Sequence, residues 1–188
     1  VRVEHYLISS GLKEIVEGCS IFDQFKEVYA SEFLYDENGV AVWPKLAVNY
    51  TAKTQFLFRI NKGVLDISND LDLNRSIPDE LRPVPFRNMI YIGDGLTDVP
   101  CMKLVKLNRG QSLAVYKKEK ATGYSLLTDK RVDLIAPADY REGKKLDTLV
   151  KMILQKMALM SRLAAEHQKQ KKQIQREEEK RGSTEGKS

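Results

Sequence analysis

With 188 residues, the chain is long enough for one domain with its own hydrophobic core and short for two full domains. Hydrophobic residues make up 42% of it and charged residues 30%, and no run approaches the roughly 18–20 apolar residues of a membrane-spanning helix. Cys19 and Cys101 lie far apart without metal-ligand spacing, which argues against both a disulfide framework and a zinc site. The composition predicts a soluble, cytoplasmic domain.

The two ends of the chain also carry information. The first residue is Val1, and the opening residues lack the apolar core of a signal peptide, so we expect the chain to begin partway through a longer protein. Residues 167–188 contain seven Lys/Arg and four Asp/Glu, which supplies three of the five net positive charges. This tail mixes both signs and has no aromatic residue for base stacking, so a solvated helix end running into disorder at residues 182–186 is favoured over a nucleic-acid or lipid contact.

Short strands and helices alternate along the first half of the chain. Apolar residues predict a strand that stops at Ser9, followed by a helical pattern from Leu12. The Asn38-Gly39 pair supplies the positive φ angles of a hairpin turn, and Gly63 is a plausible end for a helix. The predicted elements are strands at 3–8 and 25–30, hairpin arms at 32–35 and 40–43, a helix at 51–62 and a polar loop at 66–87 with at most one short helical turn.

The same alternation continues in the second half. It contains predicted strands at 89–92, 112–116 and 133–136, a helix at 99–107, and a long helix after Gly143. The apolar stripe of the long helix consists of Leu146, Leu149, Val150, Ile153, Met157 and Met160. Together these elements predict a layered α/β domain with a mostly parallel sheet at residues 1–164, followed by a charged helical extension and tail at 165–188.

The most informative segment follows the strand at 89–92, where Asp94 lies between Gly93 and Gly95 and Asp98 comes four residues later. Magnesium takes oxygen ligands and keeps several waters, so one direct and one supporting carboxylate would suit a magnesium site. Asp98 could instead, or in addition, cap the next helix, which has a proline near its start. Asp94 has no such capping duty, which favours a functional role.

Two other polar features could bind an anion. Ser9, Ser10 and Gly11 end the first strand with a hydroxyl and a flexible turn, which suits a phosphoryl group but equally suits an ordinary helix cap. Lys53 lies in the first turn of a predicted helix, where the helix dipole disfavours a cation. A nearby anion would remove that penalty; otherwise Lys53 is a solvated surface lysine.

In order and context, these segments resemble the haloacid dehalogenase (HAD) superfamily, and particularly its phosphoserine phosphatase-like branch. Motif two of that family is a strand ending in Ser or Thr, here Ser9; motif three is a lysine near a helix start, here Lys53. Motif four is GDGxxD after a strand, here Gly93 to Asp98, and a hairpin between motifs two and three is typical of the branch. The resemblance covers roughly residues 3–140.

The resemblance implies a hydrolase that needs Mg²⁺ and acts on a small phosphomonoester. Ser9 would hydrogen-bond a phosphoryl oxygen, with the backbone of Ser10 and Gly11 assisting. Lys53 would offset the charge between phosphate and nucleophile. Asp94 would bind magnesium, and Asp98 would support the metal site through water or through Lys53. These roles amount to positioning and charge stabilisation, which is most of what phosphoryl transfer needs.

The family's first motif, DxDxT, is absent. Asp70-Leu71-Asp72 and Asp66 lie in the polar stretch without a preceding apolar strand, so neither is a candidate nucleophile. In the family, the motif-one strand lies between the strands of motifs two and four, so we expect a Rossmann-like core with two open sheet edges. An upstream segment would supply the nucleophile, and this chain alone would be inactive. The alternative is a catalytically inactive HAD-fold protein that serves as a binding module.

Overall fold

The structure is a computed structural model that describes the backbone of residues 2–185 and the side chains of residues 2–177. The chain divides after Tyr140 into two compact units. The first unit contains both β-sheets, and the second contains a single long helix. The domain boundary predicted after residue 164 stays a prediction. No helix in the described part of the chain is both long and apolar enough to cross a membrane.

The first sheet has three strands in the order β1 (His5–Leu12), β2 (Phe25–Tyr35) and β3 (Ala41–Leu46). β1 runs parallel to β2, and β3 pairs antiparallel with β2. The strand predicted at 25–30 and the first hairpin arm are therefore one continuous strand. The predicted turn is present, with Gly39 at φ 75° and the Asp36 carboxylate accepting from the backbone N–H groups of Asn38 and Val40.

The end of β1 differs from the prediction. The strand continues past Ser9 to Leu12, although its regular pairing with β2 is interrupted there. Ile8 lies opposite Tyr29 and Leu12 lies opposite Ser31, so residues 9–11 of β1 correspond to the single residue Ala30 of β2. This irregularity acts as a bulge at the Ser-Ser-Gly segment. The helix that follows, α1 (Lys13–Glu17), has only five residues.

The next helix, α2 (Lys53–Lys62), ends at Gly63 as predicted. Gly63 adopts φ 72°, and its N–H donates to the carbonyls of Arg59 and Ile60. The polar stretch that follows is ordered by the buried guanidinium of Arg59, which donates to three backbone carbonyls and to the carboxylate of Asp70. This stretch contains α3 (Asp70–Asn74) and two short 3-10 turns, and so has more helical structure than the one turn that was predicted.

The second sheet is entirely parallel, with the strands β4 (Ile90–Gly93), β5 (Gln111–Tyr116) and β6 (Leu134–Pro137) in that order. The predicted helix at 99–107 is confirmed as α4 (Val99–Leu107), which connects β4 to β5. A further helix, α5 (Ala121–Thr128), connects β5 to β6 and was not predicted. Its central glycine, Gly123, is unfavourable in a helix, but here it is buried against Tyr116.

The predicted α/β class with a long C-terminal helix is confirmed. The structure has one mixed and one parallel sheet in place of the single mostly parallel sheet that we expected. β1 and β4, which carry the predicted motifs two and four, are each an edge strand. If a strand between β1 and β4 were missing, it would leave two open edges of this kind. The existence of that strand stays a prediction.

The hydrophobic core of the first unit lies around α2 and α4. Tyr29 and Phe56 stack at its centre, with ring centroids 4.5 Å apart. The core is completed by Val48, Leu57, Ile60, Phe86, Met89, Tyr91, Cys101, Met102, Val105, Ala114, Leu126 and Val132.

The second unit consists mainly of α6 (Lys145–Glu185). Four residues of the predicted apolar stripe are buried and Val150 is half-buried, whereas Met160 is 58% exposed, so the buried part of the stripe ends at Met157. The buried four are Leu146, Leu149, Ile153 and Met157. Residues 182–185 of the predicted disordered segment belong to α6, and residue 186 lies outside the described part.

We expect Gly110→Ala to destabilise the fold. A Cβ at this position would lie 2.5 Å from both the Phe86 carbonyl oxygen and Val105 Cγ1, so backbone as well as side chain must shift. Overpacking of this kind typically costs about 1–3 kcal/mol of unfolding free energy, which urea denaturation measures.

Gly18→Ala is the matched control. Its Cβ would make only an ordinary 3.5 Å contact, and its φ of -73° suits alanine. Equal unfolding free energies for the two variants would contradict the packing described around Gly110.

Candidate functional site

A buried ion pair lies at the centre of the candidate site. Lys53, the first residue of α2, places its Nζ 2.7 Å from Oδ1 of Asp98, just before α4. Both residues are only 6% exposed. The interpretation of Lys53 as a solvated surface lysine is therefore wrong. The helix dipole disfavours a positive charge at this position, and the Asp98 carboxylate is the nearby anion that offsets this penalty.

Asp98 occupies the position before α4 but does not cap it. Its side chain makes no capping hydrogen bond to the helix. Instead, Oδ1 accepts one hydrogen bond from Lys53 and another, at 2.8 Å, from the hydroxyl of Tyr91 on β4. Burial above all raises the pKa of Tyr91, with the charge of Asp98 contributing, so the phenol stays protonated and donates. Tyr91 thus helps to fix the orientation of the Asp98 carboxylate.

Gly93 leaves room for that carboxylate. A Cβ on Gly93 would lie 2.7 Å from both Cβ and Oδ2 of Asp98. A Cβ on Gly95 would come no closer than 3.7 Å to any neighbour, Thr97 Oγ1 being the nearest. The two glycines of the motif therefore differ: Gly93 is required by the packing of Asp98, whereas packing does not require Gly95.

Ser9 lies at the irregular end of β1. Its Oγ accepts a 3.0 Å hydrogen bond from the N–H of Gly11. The hydroxyl oxygen is therefore held in place while its own proton stays free to donate. The Gly11 N–H is already engaged, so a phosphoryl oxygen would have to compete with Ser9 for it. Ser10 is exposed, and its carbonyl accepts a 3.4 Å hydrogen bond from the Ser31 hydroxyl.

Asp94 follows β4 directly and is exposed. It lines a cavity of about 480 Å³ that also extends along the end of β5 and the start of α5. Partial burial above all, and the negative charge of Asp94, raise the pKa of the Tyr140 phenol. Asp94 is thus an exposed carboxylate on the wall of this cavity.

The described residues form no group of three or more His, Cys, Asp or Glu side chains that could hold a metal ion. Asp94 is the more accessible of the two predicted ligands, because it is exposed, whereas Asp98 is buried and its Oδ1 already accepts from Lys53 and Tyr91. Magnesium is commonly bound through one or two carboxylates together with waters and substrate phosphate. The residues therefore fit a partial magnesium site with Asp94 as ligand and Asp98 in support.

The structure brings together some of the predicted residues and leaves others apart. It joins Lys53 to Asp98 by an ion pair and packs Asp98 onto Gly93. Within the described residues, no hydrogen bond or ion pair links Ser9 to Lys53, Asp94 or Asp98.

One aromatic residue of the site, Tyr91, could not be recognised from the sequence. Tyr91 lies in an apolar strand and therefore resembles an ordinary core residue, although a buried tyrosine usually needs a hydrogen-bond partner. Only the pairing rule for buried tyrosine hydroxyls could have drawn attention to Tyr91, and nothing in the sequence indicated its partner.

The sequence is similar to that of an uncharacterized protein of Borreliella burgdorferi. The two are 28% identical over an alignment of 162 residues, and the match covers 77% of this chain and 55% of the other protein. The chain therefore spans about half the length of the relative that it matches. No protein-family model matches the sequence, and no solved structure matches it either.

We expect Gly93→Ala to displace the Asp98 carboxylate from Lys53 and Tyr91, because the new methyl group would occupy the space of Asp98 Cβ and Oδ2. Disturbing a buried ion pair is costly, so unfolding free energy should fall by about 2 kcal/mol or more. Gly95→Ala, with open space at its Cβ, should change the unfolding free energy by under about 0.5 kcal/mol. Urea denaturation of both variants tests the difference, and equal stabilities would refute it.

The two cysteines should differ in reactivity. Cys19 is exposed, whereas Cys101 is fully buried, and burial raises the pKa of the Cys101 thiol to about 11. At pH 8 only about one Cys101 in a thousand would carry the reactive thiolate. Mass spectrometry after brief iodoacetamide treatment should find Cys19 alkylated and Cys101 unmodified. Equal labelling at pH 8 would contradict this arrangement.

The buried Cys101 thiol should also make the free energy of unfolding depend on pH. As pH rises from the ordinary thiol pKa toward 11, the free energy of unfolding should fall, because Cys101 ionises first in the unfolded chain.

Proposed function

We propose that this chain is part of a magnesium-dependent phosphohydrolase of the HAD superfamily that acts on a small phosphomonoester. The phosphoryl group would pass through an aspartyl-phosphate whose nucleophile lies upstream of the chain. One observation carries the proposal: Lys53 and Asp98 form a buried ion pair directly beside the Gly93-Asp94-Gly95 turn.

The ion pair supports a catalytic role because its burial is costly. Desolvating two charges often costs as much as their attraction returns, and apolar residues of similar size would stabilise a fold at least as well. Lys53 also lies at the N-terminal end of α2, where the helix dipole disfavours a positive charge. A lysine held there by Asp98, whose carboxylate also accepts from Tyr91, is preorganised to stabilise negative charge without further rearrangement.

Each residue has a distinct part in the proposed chemistry. The Ser9 hydroxyl, whose oxygen accepts from the Gly11 N–H, donates a hydrogen bond to a phosphoryl oxygen. The Lys53 ammonium offsets the charge gathered between phosphate and nucleophile, and Asp98 fixes its position. Asp94 would hold Mg²⁺, which when bound would supply positive charge to offset that of the phosphoryl oxygens.

The open sheet edges support an upstream nucleophile. β1 carries Ser9 and β4 leads into Asp94, and each strand has an unpaired edge in its sheet. A single strand paired with both would deliver its C-terminal end between these two residues, since parallel strands end at one rim of the sheet. The relative from Borreliella burgdorferi is longer than this chain, and the chain covers 55% of it.

The test is a magnesium-dependent phosphatase assay of the natural protein that contains this chain, with p-nitrophenyl phosphate as substrate. We expect turnover that EDTA abolishes and added Mg²⁺ restores. Asp94→Asn should lower kcat/KM by about a hundredfold or more, because a neutral amide binds magnesium poorly. Asp129→Asn, which removes an exposed carboxylate from the end of α5, is the matched control and should keep full activity.

Two results would count against the proposal. Turnover that is unchanged in Asp94→Asn would refute the metal role of Asp94. A folded natural protein without magnesium-dependent turnover on any phosphomonoester would favour the alternative of an inactive HAD-fold binding module.

A further inference from the structure

The cavity beside Asp94 has a second polar wall that the proposed chemistry does not use. Lys117 and Lys118 line it from the loop between β5 and α5. Both are exposed, and within the described residues neither makes a hydrogen bond or an ion pair. Because both lysines line the cavity, an anion bound in it would be attracted to two ammonium groups.

The rest of the cavity suits a small organic molecule. Its volume of about 480 Å³ lies in the range of roughly 300–1,000 Å³ typical of ligand pockets. Val115 and Leu126 give it apolar lining, and Asp94 lies on its wall. Asp94 therefore places the cavity next to the proposed phosphoryl position, and the two lysines offer positive charge to a second group of the same ligand.

We infer that this cavity receives the leaving group of the substrate, and that Lys117 and Lys118 bind a second anionic group on it, either a carboxylate or another phosphate. This inference rests on the proposed phosphohydrolase function. It narrows the substrate class to phosphomonoesters whose alcohol carries its own negative charge. Glu119 lines the same cavity and opposes that charge, so it would restrain the affinity.

The test compares three esters of similar size in the natural protein with Mg²⁺. Glycerol 3-phosphate has a neutral leaving group, 3-phosphoglycerate carries a carboxylate, and propane-1,3-diol bisphosphate carries a second phosphate. We expect kcat/KM to be higher for at least one doubly anionic ester than for glycerol 3-phosphate, and the preferred ester identifies the anion. In Lys117→Gln/Lys118→Gln, this preference should fall about tenfold or more, as expected when charge-assisted hydrogen bonds are lost.

Two further variants control for general charge effects. Lys103→Gln/Lys156→Gln removes the same charge from exposed lysines that do not line the cavity, and it should leave the preference unchanged. Glu119→Gln removes the opposing carboxylate and should strengthen the preference. Turnover of glycerol 3-phosphate should stay the same in Lys103→Gln/Lys156→Gln, because neither lysine lines the cavity.

The outcomes separate this inference from the proposed function. Magnesium-dependent turnover without a preference for a second anion, or with a preference that survives the Lys117/Lys118 variant, overturns the inference and leaves the proposed function standing. If no ester is turned over, the proposed function fails and isothermal titration calorimetry with 3-phosphoglycerate and the bisphosphate decides the inference. Binding of either compound that is lost in the Lys117/Lys118 variant supports it, and absent or unchanged binding overturns it.

Discussion

The ion pair between Lys53 and Asp98 is the interaction on which the candidate site depends. It joins two residues 45 positions apart, one at the start of α2 and the other at the start of α4. Because each residue is only 6% exposed, water cannot take the place of either partner in solvating the other charge. Removing one partner of such a pair typically costs about 3–5 kcal/mol, since the other charge is left buried alone. The position of each residue therefore fixes that of the other.

The surroundings of Asp98 show how folding and function share the same residues. Tyr91 contributes its ring to the core and its hydroxyl to the Asp98 carboxylate. Gly93 ends β4 and gives the carboxylate the space it needs. At this point the backbone, the core and the site are coupled, so a small change in packing would move the charged group. Asp94, one residue further, is exposed and free of that constraint.

The two sheets explain why the proposed chemistry needs a longer protein. β1 and β4 carry the predicted phosphate-binding and metal-binding segments, yet each is the edge of a separate three-stranded sheet. An open edge leaves backbone N–H and C=O groups unpaired and favours the addition of another strand. In the described part of the chain, no strand pairs with the open edge of β1 or of β4, and the sequence contains no DxDxT segment.

Several local elements and the polar residues of the candidate site could be predicted from the sequence. The helix at 99–107, the end of α2 at Gly63 and the turn at Gly39 follow from short-range patterns, which depend only on neighbouring residues. The helix α5 was missed because Gly123 weakens its local preference, and tertiary packing against Tyr116 overrides that preference. The pairing of Asp98 with Lys53 is visible only in the folded chain, because a contact across 45 residues leaves no periodic pattern in the sequence. The folded chain also shows that Asp98 accepts from Tyr91 and does not cap α4.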